Sequence, residues 1–259
     1  MRGQETAPKS DSTVTAKDCT EGDGITIRRY EPSDEEQVKN LFRTGMESNI
    51  GAAYAAIVKH PYVALPLTSL PAVVAGAVNR SIGKRSSLWV AAATLLPATG
   101  LYYFLKYKFG KYIQASVEDD LSKIEEVYSG KGCFLVAVDT RVPSEIANGG
   151  AGSIVGIVGG QARDDGVIEL RRMSVSKQQR GLGLGMRLIE RLEEECKPST
   201  KSMCLTCISI QYAAHRLYSR AGFIRKETYT PATASWWFRN SIEVYHYEKE
   251  FSGRNIMIL

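Results

Sequence analysis

Arg180-Gly181-Leu182-Gly183-Leu184-Gly185 is the segment whose residue types and spacing most directly imply chemistry. Its glycines alternate with leucines where a strand pattern ends and an amphipathic helix pattern, Met186 to Lys197, begins. A backbone without Cβ atoms lets a ligand come close, and the unpaired amides of a first helical turn point at whatever sits there. Such a cradle suits a phosphate or pyrophosphate. The spacing is not the G-x-G-x-x-G of a dinucleotide fold, and Met186-Arg187 stands where a P-loop needs Lys followed by Ser or Thr.

Other reactive side chains lie close by in sequence. The strand pattern Val167 to Val175 carries Glu169, Arg171 and Arg172. Strict alternation sends the two arginines to opposite faces, so at most one lines a cleft, where its guanidinium could hold a substrate carboxylate. Glu169 can equally be a strand carboxylate paired with either arginine. Cys204 and Cys207 form a C-x-x-C, but their odd spacing on the strand Met203 to Ile208 also separates them, and both read as small buried thiols. With five cysteines in all, an odd number, reduced thiols are expected and no metal site. His215 and His246 have no recognisable nucleophile or metal partner in sequence and read as structural.

The elements that must position these groups follow from periodicity. At 259 residues, 44% hydrophobic and 24% charged, the chain fits one folded catalytic domain with an insertion. Its net charge of +5 is spread among acidic residues, which excludes nucleic acid as the main partner. Residues 1–22 read as a flexible polar tail without a signal peptide. A strand from Ile25 to Tyr30 precedes a helix that starts at Pro32-Ser33-Asp34 and runs through Met46. Tyr112 to Tyr128 is helical, Cys133 to Val138 and Ile154 to Gln161 are strands, Val142 to Gly152 is a loop, and strands and helices alternate to the end. The expected fold is α/β (α+β): a mixed central sheet flanked by helices.

Two uncharged runs interrupt this domain, Pro61 to Val78 and Ser86 to Leu105, joined by Arg80, Lys84 and Arg85. The second is long enough for a membrane helix, with Trp89, Tyr102 and Tyr103 near its ends; the first is broken by Pro66 and Pro71. Residues 61–105 are therefore expected to form a hydrophobic hairpin inserted in a lipid membrane, within a domain spanning 23–250 and followed by a tail, 251–259.

Met173-Ser174-Val175, then Arg180-x-x-Gly183-x-Gly185, then Ala214-x-x-Leu217-Tyr218-x-x-x-Gly222-Phe223 resemble the GNAT acetyltransferase pattern in order and spacing. His60-Pro61 before the insertion and Gly132-Cys133-Phe134-x-Val136-Ala137 after it resemble the membrane-bound N-acetyltransferase 8 (camello-like) group, which includes aspartate N-acetyltransferase. The resemblance implies the acyl-CoA N-acyltransferase fold and acetyl-CoA as acetyl donor, with no metal. It also implies that Met173, Ser174 and Val175 pair with the pantetheine arm, and that Arg180, Gly181, Leu182, Gly183, Leu184 and Gly185 hold the pyrophosphate. Tyr218 matches the position of the acid that protonates the departing thiolate, and Glu169 a position used for the base. Gln211 stands where the family often has a cofactor-binding Asn.

The expected activity is acetyl transfer from acetyl-CoA to the primary amine of a small amino-acid-type substrate, of the aspartate or cysteine S-conjugate class. Two alternatives stay open: a protein lysine acetyltransferase at the membrane, and an acyl-CoA-binding membrane protein without turnover. The resemblance further implies an endoplasmic reticulum membrane with the catalytic domain facing the cytosol.

Overall fold

The computed structural model describes residues 19–21, 24–66, 69, 73, 86–141, 152–196, 200–230 and 242–251. Among these residues eight strands form one sheet in the order β1-β2-β3-β4-β5-β6-β8-β7. They are β1 (Cys19–Glu21), β2 (Ile25–Arg29), β3 (Cys133–Asp139), β4 (Ser153–Ala162), β5 (Val167–Val175), β6 (Ser202–Ile208), β7 (Ile224–Tyr229) and β8 (Val244–Glu250). Only β5 and β6 run parallel; every other neighbouring pair is antiparallel. The helices are α1 (Glu35–Glu47), α2 (Ile50–Lys59), α3 (Ser86–Ser116), α4 (Ile124–Val127), α5 (Leu184–Cys196) and α6 (Tyr212–Arg220).

Each face of the sheet has its own core. On one, α5 buries Leu184, Leu188, Ile189, Leu192 and Cys196, a stripe at three- and four-residue spacing, against Leu135, Val158, Ile168, Leu170 and Leu205. Full burial of side chains such as Leu188, Ile189 and Leu192 contributes roughly 1.5–3 kcal/mol each. On the other face, Val38 and Phe42 of α1 meet Phe134, Val136, Ile157 and Tyr128. β3 and most of β4 are covered on both sides, which is why both read as nearly continuous apolar runs.

Gly159 shows how tightly this second face is packed. A Cβ there would stand 2.5 Å from Cε1 of Tyr128 and 2.9 Å from its Cζ. Gly159→Ala is therefore expected to destabilise the fold by about 1–3 kcal/mol by overpacking. Urea or thermal unfolding should show the loss.

The structure moves several sequence-derived boundaries. Cys19–Glu21, inside the segment expected to be a polar tail, pairs with β2. Most of the first uncharged run, its basic connection, most of the loop after β3 and residues 252–259 lie outside the described residues. The second run is corrected. It does not stop at Leu105 but continues through Lys106, Lys108 and Lys111 to Ser116. From the end of the run onward Leu105, Phe109 and Ile113, four residues apart, are buried in the domain, and Phe109 meets Ile50 and Ala53 of α2. The run is one end of a domain helix, and among the described residues no helix is long and apolar enough to cross a membrane. That finding overturns the expected endoplasmic reticulum membrane location, and it leaves the expected hairpin and lipid partner without support among the described residues.

Candidate functional site

β5 and β6 pair from Val167↔Ser202 to Leu170↔Leu205, and there the ladder ends although both strands continue. Beyond that point β6 pairs only with β8, and β5 only with β4. The strands part, and one backbone edge of Arg171 to Val175 is left without a neighbour inside an otherwise continuous sheet. An extended chain with amide groups can complete such an edge. Met173 and Val175 also lean on the α5-side core.

The glycine loop opens at the end of this edge. Gly181 and Gly183 have φ of 81° and 87°, in the left-handed region that glycine adopts without strain. A Cβ at either would meet nothing within 4 Å. The amides of Met186 and Arg187 return to the Gly183 carbonyl, while those of Gly181 to Gly185 have no acceptor among the described residues. The bare donors at the α5 N-terminus thus belong to a loop with room beside Gly181 and Gly183, as an anion site requires. Arg180 folds back instead: its Nε donates to the Val175 carbonyl at 2.9 Å, with Nη2 3.4 Å from Ser48 Oγ at the end of α1. It ties the loop to β5. Leu184 is buried in the core and Leu182 is exposed. Ser174 is buried against α1, where a Cβ on Gly45 would come within 2.2 Å of its Oγ, so α1 approaches through glycine backbone.

Tyr218, on α6, is 7% exposed and packs into the α5-side core, its ring 6.0 Å from Phe223 and 6.1 Å from Tyr247. Burial, followed by the nearby Cys207 and Tyr247, holds its phenol well above the usual tyrosine range, so it keeps its proton at neutral pH. Three contacts anchor α6 to β6 and β8. The Cys207 thiol donates to Gln211 Oε1 at 3.1 Å. His215 lies 3.0 Å through Nε2 from the Ile208 carbonyl and 2.9 Å through Nδ1 from the Tyr247 hydroxyl. A carbonyl only accepts, so Nε2 carries the proton; burial lowers the His215 pKa, and neutral Nδ1 accepts from Tyr247.

Glu169 faces away from this core, between Ile168 and Leu170, and stands opposite Cys204 on β6 and Gln161 on β4. Among the described residues it has no hydrogen-bond or ion-pair partner. Cys204 beside it is buried, and burial, followed by the Glu169 charge, raises the thiol pKa. Arg163 reaches within 3.9 Å of the same sulfur. Glu169 and Tyr218 therefore approach the parting of the strands from opposite faces of the sheet. Cys207, on the Tyr218 side, is separated from Cys204 as their spacing requires.

The two arginines depart from simple alternation. Between Gly159↔Arg171 and Ile157↔Ser174 the ladder carries a bulge, with Arg172 and Met173 opposite Val158. Arg172 takes φ 54°, the one positive φ outside glycine among the described residues. The reversal returns Arg172 to the face of Arg171, and both guanidiniums meet the acidic pair Asp119 and Asp120, not Glu169. Sequence patterns missed this acidic pair, since nothing local links residues 52 positions apart. Burial opposes the charge on Arg172, and the Asp120 hydrogen bond and charge outweigh it.

This geometry agrees with the comparison with known families. Residues 130–225 match the acetyltransferase (GNAT) domain family. The chain carries a GNAT acetyltransferase domain. It is 30% identical over 211 residues to N-acetylaspartate synthetase of Rattus norvegicus, across 78% of this chain and 64% of the relative. The chain thus spans somewhat under two thirds of that relative's length. It is 29% identical to N-acetyltransferase family 8 member 3 of Mus musculus, across 76% of this chain and 83% of the relative. The fold resembles a GNAT-family acetyltransferase from Staphylococcus aureus Mu50, with a TM-score of 0.50 at 17% identity, across 88% of this chain and 99% of the other. The parted strands, the glycine loop and α6 lie together at Gly185, where a Cβ would stand 2.9 Å from Leu217 of α6 and 3.4 Å from Met173 of β5.

Proposed function

We propose that this protein transfers acetyl from acetyl-CoA to the primary amine of a small, carboxylated, amino-acid-type substrate. The observation that carries the reading is the parting of β5 from β6 after Leu170 and Leu205, directly beside the open glycine loop. The free edge at Met173 to Val175 fits the amide-rich pantetheine arm, and the loop from Arg180 to Gly185 fits the pyrophosphate. Gln211, at the start of α6, stands beside the same opening, although its side-chain oxygen already accepts from Cys207.

Acetyl-CoA supplies an acetyl group activated as a thioester. The protein must then do three things. Glu169, directly or through water, takes a proton from the incoming ammonium so that nitrogen can attack. A backbone amide of the β5 bulge, that of Met173, stabilises the negative charge that develops on the thioester oxygen. Tyr218 gives its phenolic proton to the sulfur as the carbon–sulfur bond breaks, and the second proton that nitrogen loses as the amide forms restores the phenol through solvent, while Glu169 releases the first to water. A base and an acid on opposite faces of the parted strands suit a tetrahedral intermediate that carries the amine nitrogen and the sulfur as two separate substituents, one tended by each group.

The substrate class rests on Arg163 and Arg171, which share the face of Glu169 and can meet a carboxylate there. Arg171 keeps 25% of its side chain exposed while bonded to Gln161 and Asp119. The name of one relative, N-acetylaspartate synthetase, points to aspartate. A panel of aspartate, cysteine S-conjugates, lysine peptides and polyamines, assayed by release of free CoA, tests this: turnover limited to carboxylated amines supports the reading. Turnover confined to lysine peptides would remove the small-substrate assignment.

The glycine loop makes a separate prediction. Valine at 183 cannot adopt φ 87° without cost, and a left-handed residue with a Cβ is disfavoured by roughly 1–2 kcal/mol. Gly183→Val is expected to raise KM for acetyl-CoA about tenfold, with a smaller change in KM for the amine. Steady-state kinetics with each substrate varied in turn checks it.

A further inference from the structure

Arg172 occupies the left-handed first position of a β-bulge, a place that normally belongs to glycine. A side chain there costs free energy and persists only where its surroundings over-determine it. The surroundings here are specific. Arg172 Nε lies 2.9 and 2.8 Å from the two carboxylate oxygens of Asp120, and its guanidinium stacks 5.3 Å above the Phe42 ring. Tyr128 donates its hydroxyl to the same carboxylate at 2.6 Å. Arg172 and Asp120 keep only 8% and 1% of their side chains exposed. Asp120 comes from a π-helical turn, Val117–Leu121, that follows α3 directly. Such turns insert a residue and re-aim the side chains after them.

We propose that Asp120, fixed by Tyr128, clamps Arg172 so as to hold the β5 bulge in the one conformation that presents the Met173 amide at the parting of the strands. The pair are positioning residues: neither touches substrate, and their effect passes through the backbone between Gly159↔Arg171 and Ile157↔Ser174. This inference rests on the acetyl-transfer reading for its consequence in rate, but not for its consequence in structure.

Removing one partner alone would bury an unpaired charge, so the informative variants remove both. Asp120→Asn keeps an acceptor for Tyr128 and is combined with either Arg172→Met or Arg172→Gly. Methionine keeps bulk without an anchor, whereas glycine adopts a positive φ unaided. The Asp120→Asn/Arg172→Met protein is expected to lose about 100-fold in kcat, the scale of one oxyanion donor, with KM for acetyl-CoA nearly unchanged. The Asp120→Asn/Arg172→Gly protein should recover roughly tenfold of that loss. Hydrogen exchange of the peptide spanning 168–176 should rise in the methionine variant and fall back in the glycine variant.

Equal impairment of both variants would overturn the clamp and assign the guanidinium to substrate itself. A lowered melting temperature with kcat and exchange unchanged would also overturn it, leaving a purely structural ion pair. Absence of turnover in the unaltered protein would refute the acetyl-transfer reading, and the exchange pattern would still decide the clamp.

Discussion

Tyr218→Phe is expected to lower kcat by roughly two to four orders of magnitude, the usual contribution of a general acid, while leaving KM for acetyl-CoA close to its original value. The substitution removes one hydroxyl and keeps the ring. The contacts with Phe223 and Tyr247 that seat Tyr218 in the core are retained, and the variant should fold. Burial keeps this phenol protonated beyond the ordinary tyrosine range, so its loss as a donor should not limit the rate at any pH below about 10. Measuring kcat across neutral and mildly alkaline pH in both proteins separates an acid from a packing residue. A phenylalanine variant with unaltered kcat would return Tyr218 to the core.

Glu169→Gln carries the second large expectation, a fall in kcat of roughly a hundredfold or more. Glutamine keeps the size of the side chain and its place opposite Cys204 and Gln161, and no ion pair is lost among the described residues, so stability should change little. The telling signature is pH. As pH rises more of the substrate amine is already deprotonated, so the variant's rate should climb toward that of the original protein. A fixed deficit at every pH would mean that Glu169 orients the substrate and takes no proton. Melting temperatures measured alongside exclude a difference in folding.

The fold was legible wherever the signal is local. Period-two and period-3.6 patterns located β3, β5, β6, α1 and α5 to within a few residues, because each element's buried face is written along its own chain. The glycine loop was legible for a similar reason, since both its conformational freedom and the helix start lie within a few consecutive residues. The arginines show where locality fails. Alternation placed Arg171 and Arg172 on opposite faces, and a bulge of one residue reversed that by bringing both to the same carboxylates. The uncharged run after Ser86 ended in sequence at Lys106, but the helix does not end there: it continues to Ser116 because Leu105, Phe109 and Ile113 are buried in the domain, which is a tertiary fact.

The sequence by itself determined the domain's layered class and the glycine loop at the mouth of α5, and its resemblance to the GNAT pattern singled out Glu169 and Tyr218 as candidates. Residue type, spacing and capping are properties of a short stretch of chain. Only the tertiary structure decided that β5 and β6 part after Leu170, that Glu169 and Tyr218 lie on opposite faces of the sheet, and that Asp120 reaches Arg172. Those outcomes depend on strand register and on side chains 52 residues apart packing in one core, where small shifts select between discrete arrangements.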